Sequence, residues 1–113
     1  MKDLTLREIL EKYGVSRRAV QGYEKAGIVR PTGKNERGHL LYDEETVEKI
    51  RETKKLQEFK MGLKEILKYY SSDKEEKISQ LQTQKNKLTD TFEIIGECLK
   101  EITKMIQQLT KND

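Results

Sequence analysis

Apolar residues in the C-terminal part of the chain recur alternately three and four positions apart. They are Ile78, Leu81, Leu88, Phe92, Ile95, Leu99, Ile102, Ile106 and Leu109, with Lys85 as the one polar intrusion. Taking Ile78 as position a, this fills nine of ten a and d positions over five heptads, a pattern that predicts a coiled coil rather than a globular helix. A helix over residues 73–111 would be roughly 58 Å long at about 1.5 Å per residue. Such a helix cannot bury its own stripe, so a second chain is the natural partner. The positions beside the seam are Lys77, Gln84, Thr91, Cys98 and Met105 on one side and Gln82, Thr89, Gly96, Thr103 and Thr110 on the other. They are almost uncharged and enforce no parallel pairing. Ile94, Cys98 and Met105 widen the stripe on one flank, which suits packing on the partner's head. Lys85 either snorkels near the end of the coil or sets its register.

The N-terminal part reads as short helices separated by turns. Thr5 and Glu8 have the spacing of a capping box, and Leu6, Ile9, Leu10 and Tyr13 make an apolar face. These predict a helix over 6–12 that Gly14 stops. Ser16 caps a second helix over 17–25, in which Ala19, Val20 and Tyr23 face inward and Gly27 ends the run. Two short helices about a tight turn match a helix-turn-helix. Gly22 inside the second costs on the order of 1 kcal/mol against alanine, so its retention points to close backbone approach, with DNA one such neighbour.

Pro31 and Gly33 break the chain. The stretch 38–42 is a strand candidate, paired with Ile28-Val29 in a hairpin that forms a wing. Asp43 caps a third helix, with Glu44 and Glu45 in its first turn and Val47, Ile50 and Leu56 along it. The periodicity breaks over 59–62. A fourth helix over 63–70 turns Ile66, Leu67 and Tyr70 inward. A hinge over 71–73 follows, and Ser72 with Glu75 forms a further capping box. The predicted fold is thus mostly α, with a winged helix-turn-helix head over 1–71 and a dimerisation helix over 72–113.

Composition narrows the function. The chain has 113 residues, enough for one small domain and a long helix. Apolar residues are 34% and charged residues 38%, which suits a narrow-striped helical protein better than a large globule. Residues 1–70 carry 16 Lys/Arg against 12 Asp/Glu, while 71–113 carry seven against eight. Within 16–42 the basic residues Arg17, Arg18, Lys25, Arg30, Lys34 and Arg37 face only Glu24 and Glu36, an electrostatic footprint suited to phosphate. The single cysteine, Cys98, excludes an internal disulfide and a multi-cysteine metal site. It reads as a small coil residue rather than a redox sensor. No apolar run approaches the length of a membrane span or of a signal peptide, which points to a cytoplasmic protein. No catalytic constellation is present, so neither enzyme activity nor a cofactor or metal is expected.

The candidate contacts with double-stranded DNA lie in two places. Ser16, Arg17, Arg18 and Gln21 share the start and exposed face of the second helix, where the arginines can meet guanine or phosphate and Gln21 adenine. Lys34, Asn35 and Arg37 form the wing, facing minor groove or backbone. His39 is either a phosphate or base contact or an exposed strand residue. Tyr23 and Tyr42 can anchor the core with their rings and offer hydroxyls to phosphate. Each of these also has a plain reading, as a solvated helix face, a polar turn or a core ring.

In order along the chain, Val15-Ser16, Arg18, Tyr23-Glu24, Gly27, Pro31, Gly38, Leu41-Tyr42, Asp43-Glu44-Glu45, Leu63 and Glu65-Ile66 resemble the MerR family of transcription regulators. The resemblance implies a four-helix winged head and a fifth helix that pairs antiparallel with its counterpart. It also implies two heads docked on successive major grooves of a pseudo-palindromic promoter, with regulation through distortion of the DNA where RNA polymerase binds. Two departures stand out. Gln21-Gly22-Tyr23 occupies the place of a usual Arg-Tyr-Tyr, and Leu40 that of a usual arginine. Lys34, Arg37 and His39 are the replacements available nearby. The resemblance supplies no cysteine set for metal sensing and no appended drug-binding domain. The leading expectation is a homodimeric promoter-binding regulator. A DNA-organising or recombination accessory protein with the same head, and a coiled-coil interaction protein that no longer binds DNA, are the alternatives.

Overall fold

Each short helix at the N-terminal end starts on a side chain that closes its first turn. In the computed structural model, which describes residues 2–111, strand β1 (Leu4–Thr5) runs into helix α1 (Leu6–Tyr13). The Glu8 backbone N–H donates to Thr5 Oγ1 (3.3 Å) while Glu8 Oε1 accepts from the Thr5 backbone N–H (3.0 Å), completing the capping box. Gly14, at φ 64°, takes the left-handed position that ends α1, and its N–H donates to the Leu10 carbonyl. Helix α2 (Arg17–Lys25) starts on Ser16, whose Oγ accepts from the Ala19 N–H at 3.0 Å. Helix α3 (Glu44–Glu58) starts on Asp43, which accepts from the Thr46 N–H at 2.8 Å. Lys60 then adopts φ 70°, a left-handed turn that separates α3 from helix α4 (Leu63–Tyr70).

The wing departs from the sequence expectation. Strand β3 (Leu40–Tyr42) pairs with β2 (Gly33–Lys34) on one side and β1 on the other, giving an antiparallel sheet of order β1-β3-β2. Ile28 and Val29 are not its partner. Both side chains are buried in the core, and their backbone lies outside any strand. Core apolar residues after a helix end had the composition of a strand without its hydrogen bonds. The register sets Gly33 opposite Leu41 and Lys34 opposite Leu40.

The core of the head joins all four helices. Ile9, Val20, Tyr23, Tyr42, Ile50 and Ile66 are each at most 1% exposed. Thr53 is buried with them and satisfies its hydroxyl on the Lys49 carbonyl (2.7 Å) and the Tyr70 hydroxyl (3.2 Å), fixing α3 to α4. Leu67, expected inward, is 42% exposed, because the eight-residue α4 buries only Ile66 fully. Cation–ring contacts brace the outside, with the Arg51 guanidinium 4.5 Å from the Tyr13 ring and the Lys49 ammonium 4.6 Å from the Tyr70 ring.

Helix α5 (Lys74–Lys111) has 38 residues. Asp73, not Ser72, caps it: Asp73 Oδ1 accepts from the Glu76 N–H at 2.8 Å, while the Ser72 hydroxyl turns back to the Lys68 carbonyl. The chain falls into two units, residues 1–77 and 78–113. Within the second, Ile78, Phe92, Ile95, Leu99, Ile102, Ile106 and Leu109 are all more than half exposed, as are Ile94 and Met105. Leu81 is half-buried and Leu88 exposed. Among the described residues no helix is long and apolar enough to cross a membrane, and no group of acidic, His and Cys residues could hold a metal ion.

Candidate nucleic-acid interface

The inward face of α2 determines what its outward face presents. Val20 and Tyr23 are buried, so Arg17, Arg18 and Gln21 stand in solvent on the same nine-residue helix. Ser16 is exposed at its start, its Oγ accepting from Ala19 while its hydroxyl proton is free to donate outward. Two tyrosines hold this helix in place. The Tyr23 hydroxyl donates to Gln57 Oε1 of α3 at 2.7 Å. The Tyr42 hydroxyl of β3 donates to Glu24 Oε1, tying the sheet to α2. Burial raises the pKa of both hydroxyls; the Glu58 charge adds to this at Tyr23, and the Glu24 carboxylate, by hydrogen bond and charge, at Tyr42. Each ring is 1% exposed, so these residues anchor the surface from beneath.

The wing tip is built on Asn35. Its Oδ1 accepts from the Arg37 N–H (3.0 Å) and the His39 N–H (2.9 Å), and its backbone pairs with His39 and Gly38. Asn35 is therefore committed to the turn through its carbonyl oxygen, while its amide nitrogen can still donate. Lys34, Arg37, His39 and Leu40 are all exposed around that turn. Gly38, at φ 81°, supplies the left-handed step that closes it. Thr32 ties the wing to the head, its Oγ1 accepting from the Asp43 N–H at 2.7 Å.

Two cations missed in the sequence border the α1–α2 turn. Lys54 of α3 donates to the Gly14 carbonyl at 3.2 Å. Lys54 and Lys60 line a shallow concavity of about 440 Å³ together with Ser16, Ala19 and Tyr23. Nothing local marks either lysine, since both sit in a highly charged stretch and only the fold brings them to Ser16. The face thus combines a helix that presents polar and basic side chains, a stiff basic hairpin and flanking lysines. Such a face can meet phosphates and read base edges.

Comparison with known proteins agrees. The model of the MerR HTH family regulatory proteins matches residues 4–73. The mercuric resistance operon regulatory protein of Bacillus cereus is 30% identical over 59 residues, covering 52% of this chain and 45% of that protein. This chain spans less than half the length of the curated relatives it matches. A MerR family transcriptional regulator from Bacillus cereus has the same fold, with TM-score 0.81 and 21% identity over 99% of this chain and 86% of that one. A MerR family regulator lacking the sensor domain, solved bound to promoter DNA, superposes with TM-score 0.71 and 20% identity over 97% of this chain and 92% of that one. These solved structures establish the fold, and the family match extends over most of the head: this chain belongs to the MerR family of helix-turn-helix regulatory proteins.

Proposed function

We propose that the chain is a cytoplasmic, homodimeric transcription regulator that binds a pseudo-palindromic promoter site and acts on RNA polymerase there. The observation that carries the reading is α2: its caps and buried residues leave Arg17, Arg18 and Gln21 together in solvent, held by Tyr23 and Tyr42. Arg18 and Gln21 reach base edges, Ser16 and Arg17 phosphates, and Lys34, Arg37 and His39 carry the flanking contacts. Tyr23, Tyr42 and Asn35 set the geometry of these groups.

The heptads of α5 support an antiparallel pair. If two copies align antiparallel about the midpoint between Glu93 and Ile94, every a position meets a d position of the partner. Ile78 then faces Leu109, Leu81 faces Ile106, Leu88 faces Leu99, and Phe92 faces Ile95. Lys85 faces Ile102, about 25 Å along the axis from its own counterpart. In a parallel in-register pair the two Lys85 side chains would confront each other across the seam. Antiparallel pairing removes that like-charge contact and sets uncharged residues such as Thr91 and Cys98 beside each other near the middle of the seam.

Hydroxyl-radical footprinting on a bound genomic fragment tests the proposal. Two protected half-sites related by a dyad, with two chains per DNA, are the expected outcome. A single protected segment or continuous protection would contradict it.

A further inference from the structure

The wing carries an apolar side chain where the reading above places DNA. Leu40 lies on β3, directly across the ladder from Lys34, and is 42% exposed. The third strand does not reach it: β1 pairs only with Leu41 and Tyr42. Its neighbours along the chain and at the turn, Lys34, Arg37 and His39, are exposed and polar. The Asn35 hydrogen bonds hold this tip in one conformation, so Leu40 is presented rather than folded inward. More than half of the Leu40 surface is covered by the head, and the remainder leaves an apolar face open to solvent beside Lys34.

We infer that Leu40 is a DNA-contacting residue, which packs on a deoxyribose while Lys34 holds the adjacent phosphate. The inference rests on the head binding duplex DNA. Cross-strand Cβ atoms stand roughly 5 Å apart. The nucleic-acid backbone alternates an anionic phosphate with an apolar sugar at comparable spacing, so an ammonium beside a leucine is complementary to one phosphate–sugar step. The contact desolvates apolar surface on both partners and adds no charge. It therefore strengthens binding without adding to the counterion release that sets salt dependence.

The experiment measures affinity of the full chain for its selected DNA fragment across a salt series, for wild type and Leu40→Ala, Leu40→Met and Lys34→Ala. Burying the exposed part of a leucine is worth roughly a three- to tenfold change in affinity. Leu40→Ala is expected to weaken binding by that factor at each of the two heads, with the salt slope unchanged and at a temperature where both proteins are fully folded, and Leu40→Met to restore it. Lys34→Ala is expected to flatten the slope by about one unit per head, about two for the dimer. Unchanged affinity in Leu40→Ala, or a loss that tracks a lowered thermal midpoint, would overturn the inference. If wild type shows no salt-dependent binding to any fragment, the DNA-binding reading itself falls, a result distinct from a silent Leu40.

Discussion

At the residue scale, single side chains close the ends of the helices. Glu8 has a carboxyl pKa below the usual range because it accepts from the Thr5 backbone and hydroxyl. Asp43 is lowered likewise by the Thr46 hydroxyl and backbone N–H. A carboxylate whose pKa is lowered by folding stabilises the fold above its ordinary pKa and stops doing so as pH falls through the lowered value. The urea midpoint should therefore decline between about pH 5 and pH 2.5, and less steeply in the Glu8→Gln, Asp43→Asn double variant. An identical decline in both proteins would remove these caps from the acid response. Arg18→Ala should weaken binding to the selected site by about 1–3 kcal/mol if Arg18 meets a base. Equal affinity in a titration would take Arg18 out of the interface. The caps at Thr5, Ser16 and Asp43 were legible because each depends on one side chain and a neighbouring N–H. Ser72 was misread for the same reason, since Asp73 beside it has the same capping chemistry and a carboxylate suits the helix dipole better.

At the element scale, length decided what could be read. The 38 residues of α5 repeat their stripe often enough to be unambiguous, and α2 is bracketed by Ser16 and Gly27. Two-residue strands have no period, so β1 was invisible and β2 was confused with the buried Ile28-Val29. Leu99→Asp places a charge in the seam and should abolish the dimer; a stable dimer in sedimentation would overturn the seam assignment. Orientation has its own test. When wild type is mixed with Lys85→Glu chains, antiparallel pairing should give hybrid dimers at the statistical level, because residue 85 never meets itself. Enrichment of hybrids through a Lys–Glu pair would indicate parallel helices.

At the scale of the whole molecule, α2 presents exposed Arg17, Arg18 and Gln21, and α5 carries a row of exposed apolar residues that the proposed dimer would cover. Symmetry then links the two: a twofold dimer implies a twofold DNA site. The family was legible from the order of caps, wing and heptads. The flanking Lys54 and Lys60 were not, because their relation to Ser16 exists only after α3 packs beneath α2. The absence of arginine at Gln21 and Leu40 also belongs here, since in the proposed dimer fewer phosphate contacts at each head would lower the salt dependence of binding.

The most direct measurement is to incubate the purified protein with sheared DNA from its own genome, then recover and sequence the bound fragments. The account predicts enrichment of a pseudo-palindrome beside a promoter. Featureless coverage would indicate an architectural DNA-binding role instead, and no recovered DNA would leave only the coiled-coil interaction reading.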